Sequence, residues 1–497
     1  MRKKTPFFVS YLSPKHLFAA AAFFLLCPQM VYTQTFTLSD AVNSSLTNNE
    51  KIKQYQEKLA QKKFQDLESW GNFMPVVNFE ASYNHLNDPL EFDLSPVRDV
   101  ILTLQSKTQT ELTNIYSTMK GQPLNDAQKA AVYAQAYGSL NNLIPPFKET
   151  LKKQDYKTAT LVGVQPLFTG GKLYAAKKYA SDEKQAAEIE LEKTRNEIIQ
   201  ETVNNYLSVV LLKNVVKTRQ DVLAGIIRHK NDADKLYSQG LIANYHLMRA
   251  EVAVADAERN LSDDQNRLEL AMIALKHSAG IPEEETITVS DSLKYTEVND
   301  SLSYYIQQSH QNQQILKLID KKKDAASDKY IAERAAFLPQ LAAFGKYEMY
   351  PEYLSSLEPR WVVGVQMKFN LFNGFRDYSR LQNAVHLKKE VSFIEAETRR
   401  KIDLWVNKSF RDVQNAKTRY TKLEKTLNLA GESLRLNEKR FQSGMGTSLE
   451  VIDAQLSLEK NRIESLISLY DYYRSLTDLF NASGNPREIL TVWNKEN

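Results

Sequence analysis

The sequence predicts an α+β membrane protein in which a few strands per chain feed a β-barrel that long coiled-coil helices continue, with the whole pattern written twice. Three observations point there: an export signal, a set of motifs recurring at one offset, and alternating strands that each run into a long proline-free helical stretch.

The N-terminus carries Arg2, Lys3 and Lys4, then an apolar run of 11 residues from Leu17 to Cys27, then Val31-Tyr32-Thr33 before Gln34. That is the layout of a secretory signal peptide over residues 1–33, and the run falls short of the roughly 20 residues that a membrane-spanning helix needs. A lipoprotein reading of Cys27 is weaker because Leu26 stands where a small residue is usual. The chain as a whole has a formal net charge of +4, but residues 1–33 hold four of its 64 basic residues and no acid, which leaves 60 basic against 60 acidic. Nothing in this balance supports nucleic-acid binding. Cys27 is the only cysteine and leaves with the signal, so no disulfide, thiol nucleophile or cysteine metal site is expected.

Leu167-Phe168-Thr169-Gly170 returns as Leu371-Phe372-Asn373-Gly374, Tyr237-Ser238-Gln239-Gly240 as Phe441-Gln442-Ser443-Gly444, and Ser278-Ala279-Gly280-Ile281-Pro282 as Ala482-Ser483-Gly484-Asn485-Pro486, all 204 residues on. Upstream, Phe73-Met74-Pro75 returns as Phe337-Leu338-Pro339 at 264, and Leu38, Val42 and Asn48 match Leu302, Ile306 and Asn312 at that same offset. The first copy therefore carries a net insertion of 60 residues between Tyr83 and Ala159. The expected organisation is repeat 1 over 34–282, a linker over 283–300 with room for one short strand, repeat 2 over 301–486 and a tail over 487–497.

Each copy has two strand-like runs, at about 76–84 and 159–168 and at about 340–349 and 360–372. Val77, Phe79, Ala81 and Tyr83 alternate with polar residues, as Trp361, Val363, Val365, Met367 and Phe369 alternate with mostly polar or small ones. A soluble sheet with one wet face shows the same period. Strands about ten residues long, with aromatics such as Trp361 and Tyr83 near their ends, favour a membrane barrel. The segment between the first two strands, about 85–158, joins them at the end away from the helices and is expected to face the exterior.

No proline occurs between Pro166 and Pro282 or between Pro359 and Pro486. Lys172 to Tyr237 alone is 66 residues, which as one helix reaches ~100 Å at 1.5 Å per residue. Ile199, Val203, Tyr206 and Val210 follow a coiled-coil seam. Gly240 and Gly444 interrupt the helices, which resume near Ala243 and Thr447, giving helical hairpins at about 171–280 and 374–482. Four strands cannot close a barrel that needs about eight or more, so several chains must share one.

At this point the chain resembles the TolC-like outer-membrane factors. The resemblance rests on Thr37-Leu38-Ser39-Asp40-Ala41-Val42, the Met74-Pro75 and Leu338-Pro339 strand entries, the Leu-Phe-x-Gly strand exits, and above all the hairpin from Phe441 to Ala454. It implies a homotrimer with one shared outer-membrane barrel and a periplasmic helical tunnel. The duct would be docked to a periplasmic adaptor (membrane fusion) protein and an inner-membrane pump, in an efflux pump or a type I secretion system.

No catalytic constellation survives inspection. Phe168-Thr169-Gly170-Gly171-Lys172 lacks the upstream glycine and the following Ser/Thr of a phosphate loop. The seven histidines form no zinc-ligand pair, and no cofactor or enzyme activity is expected. The candidate site is the hairpin ends. Glu450 and Asp453 share one helical face, and three copies of Asp453 around an axis would make an acidic ring at a narrow mouth. By resemblance these acids match the family's constriction. Arg249 stands where the first copy has its equivalent of Asp453, so a closing pair from Arg249 to Asp453 or Glu450 is expected; Gly446 replaces a basic gate residue of some members. Gly240-Leu241 and Gly444-Met445 would leave grooves for the adaptor's tips. The alternative from another class is a non-channel periplasmic scaffold, or an adhesin acting through the insertion.

Overall fold

The computed structural model describes residues 34–495, so the segment 1–33, read from the sequence as an export signal, lies outside the described residues. The chain folds as two compact units. One comprises the described residues up to Gln61, Gln185–Asp320 and the chain from Ser392 on; the other comprises Lys62–Lys184 and Lys321–Val391.

The repeat is visible in the element boundaries. Helix α1 (Leu38–Asn48) and α2 (Glu50–Gly71) precede the strands of copy 1, as α7 (Leu302–Asn312) and α8 (Gln314–Arg334) precede those of copy 2. The long helices α5 (Lys172–Ser238) and α9 (Arg376–Gln442) each have 67 residues and begin and end 204 positions apart. Their return helices, α6 (Asn244–Ala279) and α10 (Ser448–Ala482), start 204 apart as well.

In the helical unit the seam expected from spacing is the core: Ile199, Val203, Tyr206 and Val210 are all buried, with Tyr472, Tyr473, Leu476 and Phe480 of α10 among their cluster. Each hairpin closes on a short helix by the same device. Gly280, at φ 66°, ends α6 where a Cβ would lie 2.8 Å from the Asn48 carbonyl carbon; Gly484, at φ 87°, follows α10 where a Cβ would lie 2.7 Å from that of Asn312. Beside them Asn49 donates its side-chain amide to the Ser278 carbonyl at 3.1 Å, and Gln313 donates to the Ala482 carbonyl at 2.9 Å. Only a residue without a side chain permits both the left-handed cap and the close approach.

The linker contributes one short strand. β1 (Gln34–Phe36) and β6 (Ile287–Val289) pair in parallel. Asp291, just beyond, gathers the Tyr206 hydroxyl at 2.6 Å, the Trp493 indole N–H at 2.8 Å and the Leu38 amide at 3.4 Å. Trp493 belongs to α11 (Glu488–Trp493) and is buried, so the segment read as a tail is a packed helix.

The sheet unit holds four antiparallel strands in the order β2 (Val76–His85), β5 (Asp155–Phe168), β7 (Gln340–Glu348) and β8 (Trp361–Lys368). The register sorts the side chains by face, because residues directly across from one another point the same way. Phe79, Leu161, Tyr347 and Trp361 form one row across all four strands, and Val77, Gly163, Gly345 and Val363 form the next. The opposite face carries Glu80, Thr160 and Glu348 in one row, and Asn78, Val162, Lys346 and Val362 in another. Val77, Phe79, Trp361, Val363 and Met367 are each more than 60% exposed, an apolar face that water would not select. Exposed aromatics gather at or beyond both strand ends, Trp70, Phe372 and Phe375 at one and Tyr83, Tyr350 and Trp361 at the other. Among the described residues no helix is long and apolar enough to cross a membrane.

Two boundaries differ from the sequence reading. β8 stops at Lys368 rather than near Phe372, because Lys368 pairs with Gln340 and β7 begins there, directly after Pro339. β5 starts at Asp155 because β2 continues to His85 and supplies its partner. Pro166 sits in this inner strand, where the ladder shifts register between Pro166 and Phe168; a residue without an N–H is accommodated at such a bulge. The insertion itself is ordered: a hairpin of β3 (Leu90–Asp93) and β4 (Lys148–Lys152) leads into α3 (Ser95–Met119) and α4 (Asp126–Leu143).

The glycine junctions generate the first prediction. Gly280→Ala or Gly484→Ala should destabilise the helical unit by about 2–4 kcal/mol, combining left-handed strain with overpacking. Denaturant unfolding followed by the helical signal in detergent reads this out, and an unchanged midpoint would contradict the close approach to Asn48 and Asn312.

Candidate functional site at the hairpin ends

The two turns have one construction. Gly240 (φ 73°) and Gly444 (φ 74°) adopt the left-handed cap. Leu241 donates its N–H to the Leu236 carbonyl at 2.9 Å, and Met445 donates to the Arg440 carbonyl at 2.9 Å. These six-to-one bonds satisfy carbonyls that the helix ends would leave free. Leu241 and Met445 are left 66% and 73% exposed at the extremities. A small core staples the hairpins together just behind, with Ala233, Ala250, Phe441, Val451 and Ala454 buried. Ala250 and Ala454 are repeat equivalents, and alanine at both lets the helices approach closely.

The copies differ in what starts the return helix. In copy 2 Thr447 caps α10: its hydroxyl accepts from the Glu450 amide at 3.3 Å, while the Glu450 carboxylate accepts from the Thr447 amide at 2.8 Å. Ala243, the equivalent in copy 1, has no side chain to do this. Glu450 is thus first a capping residue, with Arg440 3.8 Å away as an ionic neighbour. Asp453 is exposed one turn on. Arg249 is exposed too, and among the described residues it forms no ion pair with Asp453 or Glu450, so the closing pair expected between the copies is not made within the chain. Arg249 instead lines a cavity of about 160 Å³ with Asp256, Ile452, Leu456 and Glu459.

The strongest electrostatic feature lies farther from the turns and was missed by sequence reasoning. Arg219 of α5 donates to Asp264 of α6 at 2.8 Å and also bonds Glu459 of α10. Asp264 and Glu459 are both buried, and Arg267 adds a second cation to Asp264 at 3.1 Å. Burial works against the Arg219 charge, but its hydrogen bonds to the two acids and their fields outweigh that and hold its pKa above the ordinary value. The signal was present in the spacing: Ala250, Ala257 and Asp264 step by seven along one buried line, and Ile452, Gln455 and Glu459 step along another. An acid in an apolar register needs a partner from a neighbouring helix.

A second link joins His229 of α5 to Ser448 at the start of α10, 2.7 Å apart, with the imidazole against the Phe441 ring at 4.7 Å between centroids. Burial lowers the His229 pKa, against an opposing pull from Asp232. Among the described residues no group of His, Cys, Asp or Glu is arranged to hold a metal ion.

A family model described as outer membrane efflux protein matches residues 127–281 and 305–485. A search of curated proteins finds no match. Among solved structures the chain is similar to the outer membrane protein VceC from Vibrio cholerae, at 17% identity over 90% of this chain and 96% of that one with a TM-score of 0.68. It is similar also to the Campylobacter jejuni CmeC outer membrane channel, at 13% identity over 91% and 88% with a TM-score of 0.67. The open state of the Neisseria gonorrhoeae MtrE outer membrane channel matches at 14% identity over 90% and 89%, also with a TM-score of 0.67.

Two outcomes are expected from this geometry. Arg219→Met leaves two buried acids with one exposed cation and should cost about 3–5 kcal/mol; unfolding measurements check it, and adding Asp264→Asn and Glu459→Gln should restore most of the loss. For His229 the folded-state pKa lies below the unfolded value of about 6.5. The stability it carries is therefore complete above that value and is lost as pH falls through it toward the folded pKa. Amides at the start of α10, their exchange corrected for the intrinsic pH dependence, should lose protection as pH falls below about 6.5, and that loss should vanish in His229→Gln.

Proposed function

Because the chain belongs to the outer membrane efflux protein family, we propose that it is the outer-membrane exit duct of a tripartite efflux pump or a type I secretion system. Three copies place their four strands side by side in one barrel, and the long hairpins continue it as a periplasmic tunnel. The tunnel ends on the periplasmic adaptor, which links it to the inner-membrane pump. The observation that carries this reading is the sheet with two open edges and one apolar face, joined in chain order to twin 67-residue helices. A sheet of this kind is stable in lipid only when its edges are paired.

Within the duct, the acids of the second hairpin form the aperture. Asp453, exposed and without an ion-pair partner among the described residues, supplies the ring, and Glu450 holds the start of α10 in place through its cap. Arg249 belongs to the same level and faces the groove that Glu459 lines. The Arg219 triad lies behind this level and ties α5, α6 and α10 into one body, so that the hairpins move together. Gly240 with Leu241 and Gly444 with Met445 shape the docking grooves, each pairing a glycine turn with an exposed apolar side chain that suits an adaptor hairpin.

A scaffold or adhesin would not conduct, so planar-bilayer recording separates the readings. The purified protein should form cation-preferring channels. Asp453→Ala should bring the cation-to-anion permeability ratio toward unity, whereas Arg249→Ala should keep the preference. A protein that never conducts would overturn the duct, and unchanged selectivity in the Asp453 variant would place that carboxylate away from the pore.

A further inference from the structure

The insertion between β2 and β5 holds the longest unpartnered apolar face on the sheet unit. On α3, Val97, Ile101, Leu104, Leu112, Ile115 and Met119 are between 42% and 83% exposed. With Thr108 filling the one gap, they step by four, three and four residues, twice over. That is an eleven-residue repeat, close enough to the natural helical period for straight helices to stay in register along their whole length.

This stripe is not the face that packs on α4. The side of α3 turned to its neighbour carries Arg98, Leu102, Ser106 and Thr110, all buried. Arg98 ties the two helices by donating to the Ile144 carbonyl at 2.8 Å and the Asn141 side-chain oxygen at 2.6 Å. One edge of the stripe bears Lys107 and Glu111, both exposed and, among the described residues, both without an ion-pair partner. Opposite charges flanking an apolar seam are what helix pairing uses to set partner and alignment.

We propose that the occupant of this stripe is α3 of neighbouring copies of the same chain, which pack together beyond the end of the sheet opposite the long helices. The hairpin β3–β4 extends the β2–β5 pair in sequence, with Leu86 bonded to Gln154 at 2.8 Å between them, so α3 is carried by the strand that forms one open edge of the sheet. Pairing that edge with another copy brings a second α3 alongside the first. The stripe is self-complementary in shape and spacing, and Lys107 of one copy can meet Glu111 of the next. The inference rests on the multi-copy barrel and adds to it a helical collar at the outer end of the duct.

The chain beyond the signal segment has no cysteine, which makes disulfide trapping a direct test. Full-length protein carrying Leu104→Cys, and separately Leu112→Cys, is oxidised in outer-membrane vesicles and run on non-reducing gels. Asp99→Cys, off the stripe, is the control. The expected result is a covalent dimer at 104 and at 112, approaching two-thirds of the chains because a threefold site can join only two of three, and little at 99. Unheated gels of the same samples report whether copies remain associated. An associated protein without disulfide at either stripe position overturns the collar and leaves the duct reading standing, whereas a dissociated protein counts against both. Equal trapping at 99 overturns the inference, and so does quenching of a bimane attached at position 104 by brominated acyl chains, which would make lipid the occupant.

Discussion

Backbone hydrogen bonding at the edges of one sheet constrains the whole molecule. β2 and β8 each pair on one side only, and both carry exposed apolar side chains on the same face. Edge strands in water are usually short, charged or covered; these are ten and eight residues long and hold a single acid, Glu80, and a single lysine, Lys368. Under the proposed duct both edges are paired by neighbouring copies and the apolar face meets hydrocarbon. The chain order then places the helices at one end of the sheet and the insertion at the other.

Duplication supplies the second organising constraint, and it explains which features were legible in the sequence. Identical spacing of Leu-Phe-x-Gly, the turn glycines and the closing Gly280 and Gly484 made the long helices and their returns readable to within a residue or two, because each boundary is enforced by local backbone chemistry. Strand ends were less legible. Where β8 stops depends on where β7 begins, and that information lies in a pairing partner. α11 escaped notice for the same reason: six residues have no periodicity to display, and Trp493 is ordered by Asp291 from the linker.

The hairpin ends show how duplication has been broken. Copy 2 caps its return helix with Thr447 and Glu450, while copy 1 offers Ala243 and His246 at those places. Asp453 stands where copy 1 has Arg249, Ser448 is bonded to His229, and Phe441 is buried where its equivalent Tyr237 is exposed. The acids at 450 and 453 could be singled out by spacing alone. The cap that engages Glu450 and the Arg219 triad could not, since both depend on which helices come together. Buried acids in an apolar register, Asp264 and Glu459, were the available clue.

The central claim is that neighbouring copies satisfy the edges of the sheet. Native mass measurement of the detergent-purified protein, taken alongside its infrared β-sheet signal, tests it most directly. Three chains per particle, with sheet content lost when the particles dissociate, is the result predicted. A stable monomer that keeps its full sheet content would contradict it.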